Sequence, residues 1–471
     1  PKAKQAFEYT IDWLDDKACA RKSGLGTPLP WDPEWIVETL SDSTIYMAYY
    51  TIARIINNHE LSAEQLPNEL FDYLFRDAAT LKKAVKKSGL EKKLVKEMKE
   101  EFEYFYPPDF RASAKELVYN HLTFYIFQHL AIFPANHYPL EIEANGMIMI
   151  EGDKMSKSAG NSVTLKELMD KFGVDPTRFA LAYCGEGIAD ASFRYADAEA
   201  VKKRLKSIYH ELTTTKFAKE EQKIDKWIIS RLQQKIRETK DHYANLRTRS
   251  AISTGFFDIL NDLKWYETRS KYRKGPGYKK ALVTLVDLMT PIIPHFAEEI
   301  NDVLNRGESY AVLRSFPRPL KTKENQRIEQ QETYVKNVKD DISGILNAIK
   351  KQETKDIKSI QIFITPRWKY QILQLYKQKP KNLIKEAMQK ESIRKHGNEA
   401  VKYAKKLLKN PGITSFDLTP RSESSAIKDA IDYLKQEFSV EEIKVISALK
   451  SNHQKAKIAE PGRPGIALNF E

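Results

Sequence analysis

Lys154-Met155-Ser156-Lys157-Ser158 follows the apolar run Gly146-Met147-Ile148-Met149-Ile150 and precedes Ala159-Gly160-Asn161. The run reads as a strand, and the glycine-flanked pentapeptide as the loop that leaves it. Two ammonium groups and two hydroxyls in such a loop suit a polyphosphate. The ammonium groups can follow charge as it develops on phosphate oxygens, and the hydroxyls and loop amides add donors. A solvated loop would explain any one of these residues, but not all five at a strand end. Downstream, Thr164-Leu165-Lys166-Glu167 reads as a capping box and Gly173 as the end of that short helix. Asp175-Pro176 reads as the N-cap and first residue of the next helix. A lysine loop between a strand and two helices sits where α/β nucleotide-binding layers carry their chemistry.

Upstream, Gly24-Leu25-Gly26-Thr27-Pro28-Leu29-Pro30 forms a rigid loop. Residues 41–56 read as a helix apolar all round, hence buried. Residues 59–104 are polar and lysine-rich with helical spacing at Leu66, Leu70 and Leu74, a surface helical insertion. Core character returns over 105–150, with Phe124, Tyr125, Ile126, Phe127, Leu130, Ile132 and Phe133 close together. Within it lies Asp109-Phe110-Arg111-Ala112-Ser113-Ala114-Lys115-Glu116-Leu117-Val118-Tyr119-Asn120-His121. Small residues at 112–114 let a ligand approach the backbone. Glu116 is suited to accept hydrogen bonds from ribose hydroxyls, and Asn120 and His121 to face a nucleotide from the following helix. A helix start with a satisfied histidine is the plainer alternative. Asp42 and Tyr46 lie on neighbouring turns near Leu40, where a plain core is the alternative.

Beyond 196 the pattern turns helical up to about 305. Val201, Leu205, Ile208 and Leu212 keep one face, as do Ile228, Leu232 and Ile236, and Leu282, Leu285, Val286 and Met289. Pro291-Ile292-Ile293-Pro294-His295 reads as a proline bend in a bundle helix. A proline turn at 316–319 and a charged helix at 325–352 lead to a strand at Ile360-Gln361-Ile362-Phe363-Ile364, with helices at 381–408 and 424–436. The fold class expected is an α/β nucleotide-binding remainder, then an α-helical bundle, then a small α+β C-terminal module. The expected boundaries are 1–195, 196–320 and 335–471.

A chain of 471 residues exceeds one core. No apolar run approaches the length of a membrane span. Two cysteines, Cys19 and Cys184, exclude a disulfide framework or a Cys-rich zinc site and point to a reducing, cytoplasmic setting. A net charge of +13 favours a polyanionic partner, nucleic acid first. Basic clusters lie at Lys202-Lys203-Arg204, at Arg247-Thr248-Arg249, and between 269 and 280. The last holds Arg269, Lys271, Arg273, Lys274, Lys279 and Lys280, with Tyr272 and Tyr278 interleaved. Each run alone is also what a solvated face looks like.

The glycine-proline loop at 24–30, Leu40-Ser41-Asp42-Ser43-Thr44-Ile45-Tyr46, the stretch 113–121, the lysine loop and Asp175-Pro176-Thr177-Arg178 occur in an order that resembles leucyl-tRNA synthetase, a class I aminoacyl-tRNA synthetase. The archaeal and eukaryotic cytosolic type is the nearer match. Residues 291–298 and 386–411 resemble the family's helical anticodon-binding domain and its C-terminal region. Ala114, Glu116 and Tyr119 depart from the residues common in relatives, which are Gly, Asp and Pro.

The resemblance implies a Rossmann-like catalytic layer that activates leucine with ATP and Mg²⁺ and transfers it to tRNA(Leu). Lys154 and Lys157 would stabilise pyrophosphate, with Met155, Ser156 and Ser158 completing the loop. Glu116, Asn120 and His121 would hold the adenosine, and Leu40, Asp42 and Tyr46 would shape the leucine pocket. Arg247, Arg249, Arg269, Lys271, Arg273 and Lys274 would meet tRNA. None of the nine histidines sits in the family's His-x-Gly-His motif, and the editing insertion has no counterpart here. The expectation is therefore the C-terminal half of such an enzyme, encoded separately or cut from a longer chain and dependent on the N-terminal half. A non-catalytic tRNA-binding relative, or a nucleotidyltransferase with another acceptor, stays open; the helical bundle speaks against the second.

Overall fold

Residues 2–14, 19–155, 162–307, 309–350, 357–409 and 417–470 are described in the computed structural model. The chain divides into two units, Pro1–Lys202 with Arg247–Arg249, and Lys203–Leu246 with Ser250–Glu471.

In the first unit, Gly26 closes a small antiparallel sheet of Ala20–Arg21, Asp32–Val37 and Pro28–Leu29; any Cβ there would lie 2.6 Å from the Val37 carbonyl. Helix Thr39–Asn58 follows, its Leu40 amide donating to the Glu38 carboxylate at 2.5 Å. Ile52, Ile55 and Ile56 pack against Leu70, Leu74, Ala84, Val95 and Met98. Residues 59–104 fold as helices Asn68–Leu74, Leu81–Ser88 and Lys92–Phe105 around a core shared with helix Thr39–Asn58. The all-round burial expected for 41–56 is corrected, since Tyr50 is 67% exposed and Tyr49 is also exposed. Aromatic side chains carry apolar bulk that a pattern reading counts as core wherever it falls. Phe127 and Leu130 are likewise exposed.

Two small sheets follow. Arg111–Ala114 runs parallel to Ile142–Asn145, and Ile148–Ile150 pairs in parallel with Ala191–Phe193 and antiparallel with Asp153–Lys154. The Thr164–Glu167 capping box forms, with the Thr164 amide donating to Glu167 at 2.7 Å. Gly173 ends helix Leu165–Phe172 and, at φ 95°, also caps helix Val174–Tyr183. Asp175 is therefore not the N-cap. It lies buried in the first turn, and the Thr177 hydroxyl donates back to the Gly173 carbonyl at 2.8 Å.

In the second unit, Asp225 organises the bundle. Its Oδ1 accepts from the Tyr266 hydroxyl at 2.8 Å and the Gly277 amide at 2.7 Å, and a Cβ on Gly275 would sit 2.6 Å from the same oxygen. Glycines on either side of Pro276 thus let helix Pro276–Met289 seat its first turn on helix Lys223–Ala244. The expected proline bend is a break instead: Pro276–Met289 stops, and Pro294 occupies the first turn of a new helix, Pro294–Val303.

In the C-terminal part, strand Ile357–Ile364 lies between Glu442–Ser447, parallel, and Gly465–Phe470, antiparallel. Ile360, Ile362 and Ile364 face a core with Tyr334, Val338, Ile427 and Leu434 from helices Gln326–Lys350 and Pro420–Phe438. Phe363 faces the other side, with Ala456 and Ala467. The stretch expected as one helix over 381–408 is three, Leu383–Gln389, Glu391–Arg394 and Gly397–Lys409, and the two outer strands were not anticipated. Buried Lys369 donates to the backbone carbonyls of Lys457 at 3.0 Å and Ala459 at 2.6 Å.

Glu423 is wholly buried beside Tyr370 and Tyr334, with the Gly462 amide donating to it at 2.8 Å. Burial pushes its carboxyl up to about 7, against the opposing pull of these hydrogen bonds. A folded-state value above the unfolded one means stability is full below the ordinary 4.5 and falls as pH rises towards 7, by roughly 3 kcal/mol in all. Glu423→Gln, a mimic of the neutral acid, is expected to flatten this dependence. Melting curves whose pH slope is the same with and without the substitution would remove Glu423 as its source.

Candidate active site

The lysine loop leaves a hairpin built for rigidity. Lys154 pairs with Met149, exposed at the end of strand Asp153–Lys154. Met155, expected among the nucleotide contacts, packs its side chain with Val163 against Ile150, Leu168 and Phe172. Both flanks of the loop are therefore pinned in one core. Ser156, Lys157 and Ser158 lie outside the described residues.

The second component follows strand Arg111–Ala114. Residues Lys115–Leu117 make one 3₁₀ turn and Val118–Leu122 a π-helical turn before helix Thr123–Ile132. Glu116 is exposed on the first of these turns. His121 is only 7% exposed, and its Nε2 lies 3.0 Å from Arg111 Nη2. Desolvation, and then the Arg111 charge, hold its pKa below the ordinary value, so the neutral ring can accept from the guanidinium. The Asn120 side chain accepts from the His121 amide at 2.5 Å. Asn120 and His121 are thus engaged with their own segment, and Glu116 is the exposed polar group of the trio.

Besides the chain itself, which runs through Gly146 and Met147, one carboxylate links the two components. Asp190 Oδ1 lies 2.6 Å from Lys115 Nζ and accepts from the Met147 amide at 2.8 Å. These two hydrogen bonds, with the Lys154 charge adding, hold the Asp190 carboxyl below the usual range. Nothing local in the sequence singles out Asp190, because both its partners lie far off along the chain.

Of the residues expected to shape an amino-acid pocket, Leu40 is half-buried in the first turn of its helix. Tyr46 is half-buried with its ring edge-on to Tyr50, centroids 4.8 Å apart. The Asp42 side chain lies outside the described residues.

The basic candidates divide sharply. Arg247 and Arg249 are exposed, Arg249 lying 5.4 Å over the Tyr183 ring, and Lys271 is exposed. Arg269 is not a surface group: it makes a buried, two-pronged ion pair with Glu332 at 2.9 and 3.0 Å. Lys274 pairs with Glu211 and, at 3.0 Å, Glu267. Desolvation lowers its pKa, but those carboxylates outweigh it and hold the ammonium above its ordinary value. Arg273 donates to the Glu220 carbonyl at 2.9 Å. Much of the cluster at 269–280 therefore holds the unit together.

Residues 84–214 match the family model of class I tRNA synthetases (M), and residues 225–363 that of the anticodon-binding domain of tRNA ligases. The chain is thus related to the class I aminoacyl-tRNA synthetases. The leucine–tRNA ligase of Pyrococcus horikoshii is 39% identical over 489 residues, covering 99% of this chain and 49% of its own. That of Methanocaldococcus jannaschii is 38% identical over 475 residues, with 99% and 49% covered. The chain is homologous to the leucine–tRNA ligases along nearly its whole length, and it spans about half the length of these curated relatives. Among solved structures, the Mycobacterium tuberculosis methionyl-tRNA synthetase in complex with methionyl-adenylate aligns at 17% identity. It covers 65% of this chain and 57% of its own at a TM-score of 0.47.

Proposed function

We propose that this chain supplies one half of a leucine–tRNA ligase, the half bearing the lysine loop and tRNA-binding helices, and acts with an N-terminal half. The closeness of the turn bearing Glu116 to the base of the lysine hairpin carries the reading: the ladder of Arg111–Ala114 on Ile142–Asn145 runs on through Gly146 and Met147 into the hairpin, and Asp190 ties the two. In the proposed reaction the leucine carboxylate attacks the α-phosphorus of ATP, the bond to the bridging oxygen breaks, and pyrophosphate leaves. The adenylate's acyl carbon then passes to a hydroxyl of the tRNA 3′ adenosine, releasing AMP. Positioning and charge stabilisation supply most of the acceleration in such a step.

Lys154 and Lys157 would neutralise the departing pyrophosphate, with Ser156 and Ser158 donating. Glu116 would hold the ribose, while Asn120 and His121 shape the wall behind it. Leu40, Asp42 and Tyr46 would border leucine. Mg²⁺ would arrive with the phosphates of ATP. Residues 1–195 would be catalytic, 196–320 a tRNA-binding bundle, and 335–471 a further tRNA-contacting module. For tRNA, the exposed Arg247, Arg249 and Lys271 take precedence over Arg269, Arg273 and Lys274.

The need for a second half has physical support. A two-stranded parallel pair leaves backbone groups unpaired along its outer edges, and the described residues add no third strand to Arg111–Ala114 and Ile142–Asn145. The isolated chain is expected to show negligible leucine-dependent ATP–pyrophosphate exchange, with activity restored by adding the N-terminal half. Brisk exchange by the chain alone would overturn the half-enzyme reading. tRNA binding without exchange in the mixture would favour a non-catalytic relative.

A further inference from the structure

The strand pair leading to Glu116 and the hairpin bearing Lys154 belong to separate sheets, and no backbone ladder joins the two among the described residues. Two residues, Gly146 and Met147, join strand Ile142–Asn145 to the hairpin along the chain, and the segment 187–191 is seated against them. Gly146 donates to the Gly187 carbonyl at 3.0 Å, and the Ala191 amide donates to the Met147 carbonyl at 2.9 Å. A Cβ on Gly146 would come within 2.0 Å of the Ala189 carbonyl oxygen, so glycine there lets the two backbones touch. Ile188 packs with Val118, Leu122 and Ala144. That apolar contact brings the segment close to the turn but is non-directional and sets no register. Asp190 adds a directional side-chain tie from this segment to the turn: its Oδ1 takes both the Met147 amide, at the root of the hairpin, and the Lys115 ammonium, next to Glu116.

We infer that Asp190 is a positioning residue that locks the lysine hairpin to the Lys115–Glu116 turn, so that the phosphate-side and ribose-side grips on one nucleotide keep a fixed spacing. The inference rests on the proposed synthetase reading for its consequence in catalysis, and on geometry alone for the lock itself. Asp190 touches neither grip's ligand; it acts through Met147 and Lys115. A partly exposed ion pair adds little to stability, whereas a small misplacement of catalytic groups costs a large factor in rate. The lock should therefore be felt in turnover and barely in melting.

Asp190→Asn keeps an acceptor for the Met147 amide and loses the charge facing Lys115; Lys115→Met breaks the same tie from the other side. With the N-terminal half present, each is expected to lower the turnover of ATP–pyrophosphate exchange roughly tenfold. The KM for leucine should stay unchanged, and the melting temperature should move by no more than about 4 °C. The double variant should be no worse than either single one, since one tie is cut twice. In the chain alone, both substitutions should speed hydrogen exchange at the amides of 148–154. Unchanged exchange there overturns the lock even if the mixture is active. A wild-type mixture without activity instead overturns the synthetase reading, and the amide measurement still tests the lock. Additive losses in the double variant would show two separate roles and reject the inference.

Discussion

Lys157→Ala in the proposed two-half enzyme is expected to lower the turnover of leucine-dependent ATP–pyrophosphate exchange by roughly 10²–10³-fold while leaving leucine binding nearly unchanged. The reasoning is electrostatic. Negative charge grows on the leaving pyrophosphate as the α-phosphorus bond breaks, so a nearby ammonium favours the transition state over the bound ground state and shows in turnover. Lys154→Ala should act in the same direction. Its strand is held by backbone pairing to Met149 and by the packing of Met155, contacts that do not depend on its charge. Unchanged turnover in either variant would take that lysine out of the mechanism.

Arg269→Ala is expected to destabilise the second unit by about 3–5 kcal/mol, because it strands Glu332 as an unpaired buried carboxylate. The Arg269 and Glu332 side chains are 8% and 6% exposed. The Trp265 indole also donates to Glu332, at 3.3 Å, and the guanidinium lies 5.4 Å over the Tyr433 ring. The pair thus joins helix Ile259–Arg269 to both long helices of the C-terminal module. Glu332→Ala should cost a similar amount, whereas the double change Arg269→Met with Glu332→Leu should recover most of it by exchanging charge for packing. Thermal or urea unfolding measures the effect. If Arg269 served tRNA phosphates instead, its loss would leave the unfolding curve in place and reduce the salt slope of tRNA binding by about one.

Local signals carried much of this architecture. The capping box is legible in the four residues Thr164–Glu167 alone, and the run Ile360, Ile362 and Ile364 marks a strand. Gly173 misled the reading of its neighbour because a single residue serves two helices, leaving Asp175 no cap to make. The edge strand Glu442–Ser447 does alternate, with Ile443 buried between exposed neighbours, so its signal was present but short. Pairings across long stretches of chain were illegible. Arg269 looks like any surface cation until Glu332, 63 residues on, is found against it. Asp190 likewise sits in an unremarkable loop until the fold brings Lys115 to it. Residue type shows that a charge exists; only topology shows whether protein or solvent answers it.

Lys369 reaches the loop before the last strand through the main-chain oxygens of Lys457 and Ala459. Every amino acid offers that oxygen, so the anchor does not depend on which side chains occupy those two places. Substitutions can accumulate at the exposed positions Lys457, Ile458 and Arg463 while the loop's course is preserved, provided the ammonium stays and the buried positions between them keep their residues. Among relatives, then, variation at those exposed positions can coexist with a constant shape, and the constraint will be visible at Lys369 and at the buried residues of the loop.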